Sequence, residues 1–114
     1  MPPRDWTLRI EDILDAIERI GRYTAGLDLA GFSADQKTID AVVRNIEIIG
    51  EAARYLPATV EQRHPEIPWA TMRGIRNRLI HGYADVDVEI VWRACRYNLP
   101  PLLPMLRQVL QDEK

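Results

Sequence analysis

The strongest constraint on this chain is the spacing of its large apolar residues. Trp6, Ile10, Ile13, Ile17 and Ile20 recur at steps of 4, 3, 4 and 3, and Leu14 widens the stripe. Only a helix, at about 3.6 residues per turn, brings such positions onto one face. Arg9, Glu11, Asp12, Asp15, Glu18, Arg19 and Arg22 fill most of the other positions, so the pattern predicts an amphipathic helix over about 5–24. A second apolar stripe, Ile39, Val42, Val43, Ile46, Ile49, Ala53 and Leu56, runs beside a polar one of Asp40, Arg44, Glu47, Glu51 and Arg54. Ser33-Ala34-Asp35-Gln36 has capping-box spacing and is expected to open this helix, with Pro57 stopping it.

Weaker punctuation divides the rest. Gly26 and Gly31 bound an expected loop, and residues 58–67 read as a short irregular or helical linker. Pro68 fits the first turn of a third long helix through Trp69, Met72, Ile75, Leu79 and Ile80, with Gly82 suited to its end. Asp85 or Asp87 can cap a helix holding Val88, Ile90, Val91, Trp92 and Cys95. Pro100, Pro101 and Pro104 break or kink it before a last segment of Leu102, Leu103, Leu106, Val109 and Leu110. No segment sustains period-two alternation. The expectation is a single all-α domain over residues 1–114, a bundle of four to five helices.

With 114 residues the chain can bury an adequate core without staples. Its single cysteine, Cys95, excludes an intramolecular disulfide and a cysteine-based zinc site, which points to the reducing cytoplasm. The start MPPRDWTLRI has no apolar signal core, and no run is long and apolar enough for a membrane span.

The net charge of −2 conceals an uneven distribution. The 18 residues between Glu66 and Asp85 contain no acid but hold Arg73, Arg76, Arg78 and His81. Without those three arginines the chain carries 12 bases against 17 acids, so a cationic strip lies on an acidic body. One reading is structural: the arginines snorkel and pair with acids on neighbouring helices, such as Glu47 and Glu51. The other is chemical. On a helix, positions 77 and 81 lie about 40° apart and 78 and 81 about 60°, and Arg76 and Tyr83 fall about 20° apart if the helix persists. Arg76, Asn77, Arg78, His81 and Tyr83 can then crowd one helix end.

Histidine moves a proton at neutral pH, and arginine offers a fork to phosphate oxygens and stabilises charge at phosphorus. RNA supplies its own nucleophile, the 2′-hydroxyl, so such a set could cut it without a metal. Transesterification needs both an acid and a base, and a two-fold dimer would bring together two histidines and paired arginines. His81 with Asp85 lacks a third metal ligand. His64 is expected on the surface of the linker, and Trp6, Trp69 and Trp92 in the core or an interface. Gly50 is expected to allow close helix packing.

At these residues the chain resembles the HEPN superfamily, in particular the HepT-like toxins of MNT–HepT toxin–antitoxin pairs. Arg76-x4-His81-x-Tyr83, with polar Asn77 after the arginine, matches the family motif in full. The likeness extends to TIDAVVRNIEIIGEA at 38–52, IPWATMR at 67–73, and DVD at 85–87 leading to IVW at 90–92. The resemblance implies a homodimeric helical bundle with the motif lining an interface cleft, and metal-independent ribonuclease activity that arrests growth. It implies Arg76 and His81 as the catalytic pair. From the residues themselves, Asn77 and Arg78 are supporting candidates, and Glu47 and Glu51 either position the arginines or form an acid/base pair at i, i+4. Arg73, Arg76 and Arg78 of the cationic strip are the candidates to hold RNA. The resemblance also implies silencing by a minimal nucleotidyltransferase that transfers AMP from ATP to Tyr83. No cofactor is expected for the chain itself; ATP and a divalent metal belong to that partner. The alternative is a non-catalytic subunit that scaffolds or regulates a nucleotidyltransferase.

Overall fold

The computed structural model describes residues 5–81 and 85–113, with His81 and Asp85 described by their backbone alone. In order the elements are α1 (Trp6–Thr24), α2 (Leu29–Ser33), α3 (Gln36–Ala53), α4 (Ala58–Arg63), α5 (Trp69–Arg73), α6 (Ile75–Leu79), β1 (Ile80–His81), β2 (Asp85–Val86), α7 (Val88–Arg93), a π-helical turn (Ala94–Asn98) and α8 (Leu102–Asp112). The two-residue strands form one antiparallel ladder, with Ile80 opposite Val86 and His81 opposite Asp85. The fold is otherwise all-α. The expected four to five helices correspond to α1, α3, α5 with α6, α7 and α8.

The two periodic segments form the scaffold. Asp5 caps α1, accepting from the Thr7 amide and hydroxyl, each at 2.9 Å. These bonds hold its carboxyl below the usual carboxylate range. The stripe predicted for α1 is its buried face: Ile10, Ile13, Leu14, Ala16, Ile17 and Ile20. It packs along α3, whose Ile39, Val42, Ile46, Ile49 and Ala53 are buried in turn. Full burial of such side chains contributes about 1.5–3 kcal/mol each, so this pair of faces is the main source of stability. Leu106 and Val109 of α8 close the core against α1.

Two sequence expectations change between these helices. The stretch read as a loop contains α2, capped by Asp28 through a 2.7 Å bond from the Gly31 amide. This short helix buries Phe32, whose ring lies 5.2 Å from that of Trp92 on α7. Because 29–33 is helical and Ala34 keeps right-handed helical backbone, Ser33 lacks the extended conformation of a cap. Asp35 caps α3 instead, accepting from the Thr38 amide at 3.1 Å and its hydroxyl at 2.7 Å. Those bonds likewise hold Asp35 below the ordinary carboxylate range.

The third long helix is interrupted. Gly74, at φ −97° and ψ 5°, ends α5 and begins α6. Glycine is a poor helix residue and settles readily in this bridge region. Trp69 and Met72 are buried on one side of the break, Ile75 and Leu79 on the other. Opposite lies Gly50 of α3, where a Cβ would stand 3.6 Å from the Met72 carbonyl oxygen and 3.6 Å from Ile75 Cγ2. Gly50 therefore packs within this chain, against the interrupted helix. Gly82, the expected helix end, lies outside the described residues.

His64, expected at the surface, is buried. The last turn of α8 covers it, placing Asp112 Oδ2 3.9 Å from Nδ1 and Glu113 Oε1 3.8 Å from Nε2, while Glu66 Oε1 lies 3.8 Å from Nδ1. Trp69 Nε1 donates to its carbonyl at 2.8 Å, tying the linker to α5. Asp87, one of the two expected caps, opens α7 by accepting from the Ile90 amide at 3.2 Å. The Leu99 amide donates to the Ala94 carbonyl at 2.9 Å, the wide turn that carries the chain to α8.

Candidate functional site

The polar stripe of α3 forms one wall of a groove of about 410 Å³. Arg44, Glu47, Ile48, Gly50, Glu51 and Ala52 line it from α3, with Arg54 just beyond the helix. Arg9 and Asp12 enter from α1, Arg73 from α5, and Arg76 and Asn77 from α6. Arginines outnumber carboxylates here by five to three, in a chain whose net charge is −2. A groove with a cationic surplus favours a polyanion, and guanidinium groups suit phosphate oxygens in particular.

Side-chain pairing organises the wall. Glu47 lies 4.0 Å from Arg44, and Glu51 lies 3.8 Å from Arg54, both within one turn. Exposed pairs of this kind contribute little to stability, leaving the arginines able to exchange a carboxylate for a phosphate. Arg73 Nη1 donates to Glu61 Oε2 of α4, so this arginine joins the groove while anchored to a neighbouring helix.

Of the residues named from sequence, the groove unites Glu47, Glu51, Arg73, Arg76 and Asn77. Arg78 is exposed and outside the lining. The helix expected to run through Leu79 and Ile80 toward Gly82 stops earlier. α6 ends at Leu79, Ile80 is extended at φ −134° and ψ 123°, and the Ile80 amide donates to the Arg76 carbonyl. The helical angles inferred for His81 relative to positions 77 and 78 therefore do not apply, because His81 sits on extended backbone in β1. Tyr83 lies outside the described residues.

Arg9, Asp12, Arg44 and Arg54 are groove residues that motif reading did not single out. Arg44 and Arg54 belong to the polar stripe visible in the sequence, so their signal was present. Arg9 and Asp12 had none, because their direction depends on the register of α1 against α3. Among the described residues no set of three or more His, Cys, Asp or Glu is placed to hold a metal ion. No helix among them is long and apolar enough to cross a membrane.

The fold and groove define a small helical protein with a cationic cleft on an otherwise acidic body. The family model described as Ribonuclease HepT-like matches residues 13–109, most of the chain, and the chain belongs to this family, within the HEPN superfamily. It is similar to the "Probable ribonuclease HepT" of Thermococcus cleftensis, 43% identical over 82% of this chain and 84% of the relative. It is also similar to the "Putative RNase MJ0125" of Methanocaldococcus jannaschii, 32% identical over 98% of this chain and 97% of the relative. A third relative, the "Putative RNase TTE0752" of Caldanaerobacter subterraneus subsp. tengcongensis, is 34% identical over 92% of this chain and 94% of its own length. No solved structure matches significantly.

Proposed function

We propose that this HepT-family chain is a metal-independent endoribonuclease, the toxin of a toxin–antitoxin pair. The observation that carries the reading is the arginine surplus of the groove, with Arg76 and Asn77 of the family motif on its wall. The RNA backbone lies along the groove, and Arg76 meets the scissile phosphate. The 2′-hydroxyl oxygen attacks the adjacent phosphorus as one His81 takes its proton. The 5′-oxygen leaves with a proton from the His81 of a second copy, giving a 2′,3′-cyclic phosphate and a 5′-hydroxyl. Arg76 stabilises the charge that develops at phosphorus. The homodimer supplies both histidines to each site, and the protein acts in the cytoplasm.

Control falls to Tyr83. A minimal nucleotidyltransferase joins the Tyr83 hydroxyl oxygen to the α-phosphorus of ATP, pyrophosphate leaves, and the tyrosine proton passes to solvent. The resulting AMP carries bulk and a phosphate to the motif and blocks RNA there. ATP and its divalent metal serve the partner and not this chain.

Cleavage of a fluorescent RNA in excess EDTA tests the activity. Arg76→Ala is expected to reduce it by about 10²–10³-fold, and His81→Ala by at least about 10²-fold. Wild-type activity in both variants overturns the site, and activity from a strictly monomeric species overturns the composite arrangement. Intact mass after co-expression with a candidate minimal nucleotidyltransferase and ATP is expected to rise in AMP units, on Tyr83. RNA binding without cleavage, with harmless expression of the wild type, would favour a non-catalytic regulatory subunit.

A further inference from the structure

Beside the phosphate-binding wall lies an aromatic group that the cleavage chemistry does not use. Tyr55 follows α3 one residue after the groove arginine Arg54, and 55% of it is exposed. Arg9, which lines the groove from α1, holds its guanidinium carbon 4.3 Å from the centre of the Tyr55 ring. The Arg9 Nε is buried without a hydrogen-bond acceptor, so this end of the guanidinium is held by packing, the ring included. A solvated tyrosine gains little stability from exposure, and an arginine alone would turn outward to water. The contact joins an exposed aromatic ring to a guanidinium that itself lines the cationic groove.

These are the two surfaces on which unpaired bases stack when proteins hold single-stranded RNA. From this juxtaposition we infer that Arg9 and Tyr55, next to the groove residue Arg54, form a nucleobase-stacking subsite. The inference rests on the ribonuclease reading and deepens it. Phosphates follow Arg44, Arg54, Arg73 and Arg76, while the base of a flanking nucleotide leaves its own stack and packs on Tyr55 and Arg9. The subsite takes any base, since every base has a π-face, and it selects unpaired over duplex RNA, whose bases are already stacked internally.

The test measures anisotropy of a fluorescein-labelled single-stranded RNA, and of the same strand annealed to its complement, with the full-length protein. Tyr55→Ala is expected to weaken single-strand binding by about 5- to 160-fold, the range for loss of one stacked base. In cleavage the loss falls on KM more than on kcat. Duplex binding moves little, and so does the dependence of single-strand binding on salt, because no phosphate contact is removed. Tyr55→Phe and Tyr55→Trp keep the ring and recover most of the affinity. Thermal melting separates folding losses from binding losses.

A wild type that binds and cuts RNA while Tyr55→Ala does the same overturns the subsite and leaves the ribonuclease reading standing. Equal losses on single strand and duplex, or no rescue by Tyr55→Phe, also overturn it. A Tyr55→Ala change in oligomeric state without an RNA effect assigns the ring to contact between copies instead. A wild type that neither binds nor cuts RNA removes both readings. Single-strand binding that needs Tyr55, without cleavage, supports the subsite and removes only the catalytic step.

Discussion

At the residue scale, burial decides how reactive a group is. Cys95 packs in the core within the π-helical turn, and burial pushes its thiol up to about 12. A thiolate is the nucleophile in alkylation, so the folded protein is expected to resist iodoacetamide at pH 8 and to react fully in guanidinium chloride. Rapid labelling of the native chain, followed by mass spectrometry, would contradict this. The same burial sets a pH dependence. The unfolded thiol ionises near 9.0 while the folded one stays protonated to about 12, so the folded state holds the extra proton in between. Stability from this group is therefore intact below pH 9 and declines as pH rises from there toward 12. Asp5 and Asp35 act in the opposite direction: with lowered folded values, their contribution is present above the ordinary carboxylate range and lost as pH falls through the folded value.

At the scale of elements, the break at Gly74 is what aims the motif. It lets α5 bury Trp69 and Met72 while α6 turns Arg76 and Asn77 into the groove. Among the described residues, a Cβ at Gly74 would meet only the Ala70 carbonyl oxygen, at 3.6 Å, which is ordinary contact. Gly74→Ala is therefore sterically tolerated, and it favours a helix by up to about 1 kcal/mol. The expected outcome is an unchanged or higher Tm with slower RNA cleavage, as a helix continued through 74 draws Arg76 off the groove wall. A lower Tm with full cleavage would show instead that packing imposes the break. This interruption was illegible in the apolar pattern, because Trp69, Met72, Ile75 and Leu79 keep helical spacing across it. Glycine was visible, but one glycine within a periodic run does not say whether the helix continues.

At the scale of the whole molecule, the groove draws on three separated parts of the chain. Its cationic surplus predicts salt-dependent RNA binding. Each phosphate neutralised on a single strand adds about 0.7 to the slope of log affinity against log salt. Arg44→Ala is expected to weaken RNA binding and lower that slope by about this amount, whereas Tyr55→Ala leaves it in place. An Arg44→Ala variant with wild-type slope would place Arg44 outside the RNA path. The variant should fold normally, because Arg44 is exposed and its pairing with Glu47, at 4.0 Å, is a surface contact.

The sequence by itself determined the helical class, the faces of α1 and α3, and the motif placing the chain in the HepT-like family. Those follow from local spacing, which registers the 3.6-residue turn and the order of chemical groups. Only the tertiary structure decided that Asp35 caps α3, that His64 is covered by α8, and that α6 stops before His81. It alone joined Arg9 to Tyr55 and set Arg9 in one groove with Arg76. Caps and helix ends are settled by which backbone groups find partners, and burial by which element covers a side chain. Burial is decided by contacts between residues far apart in sequence, and caps by the local backbone conformation that the packed fold selects, as at Asp35 and Thr38; periodicity carries information on neither.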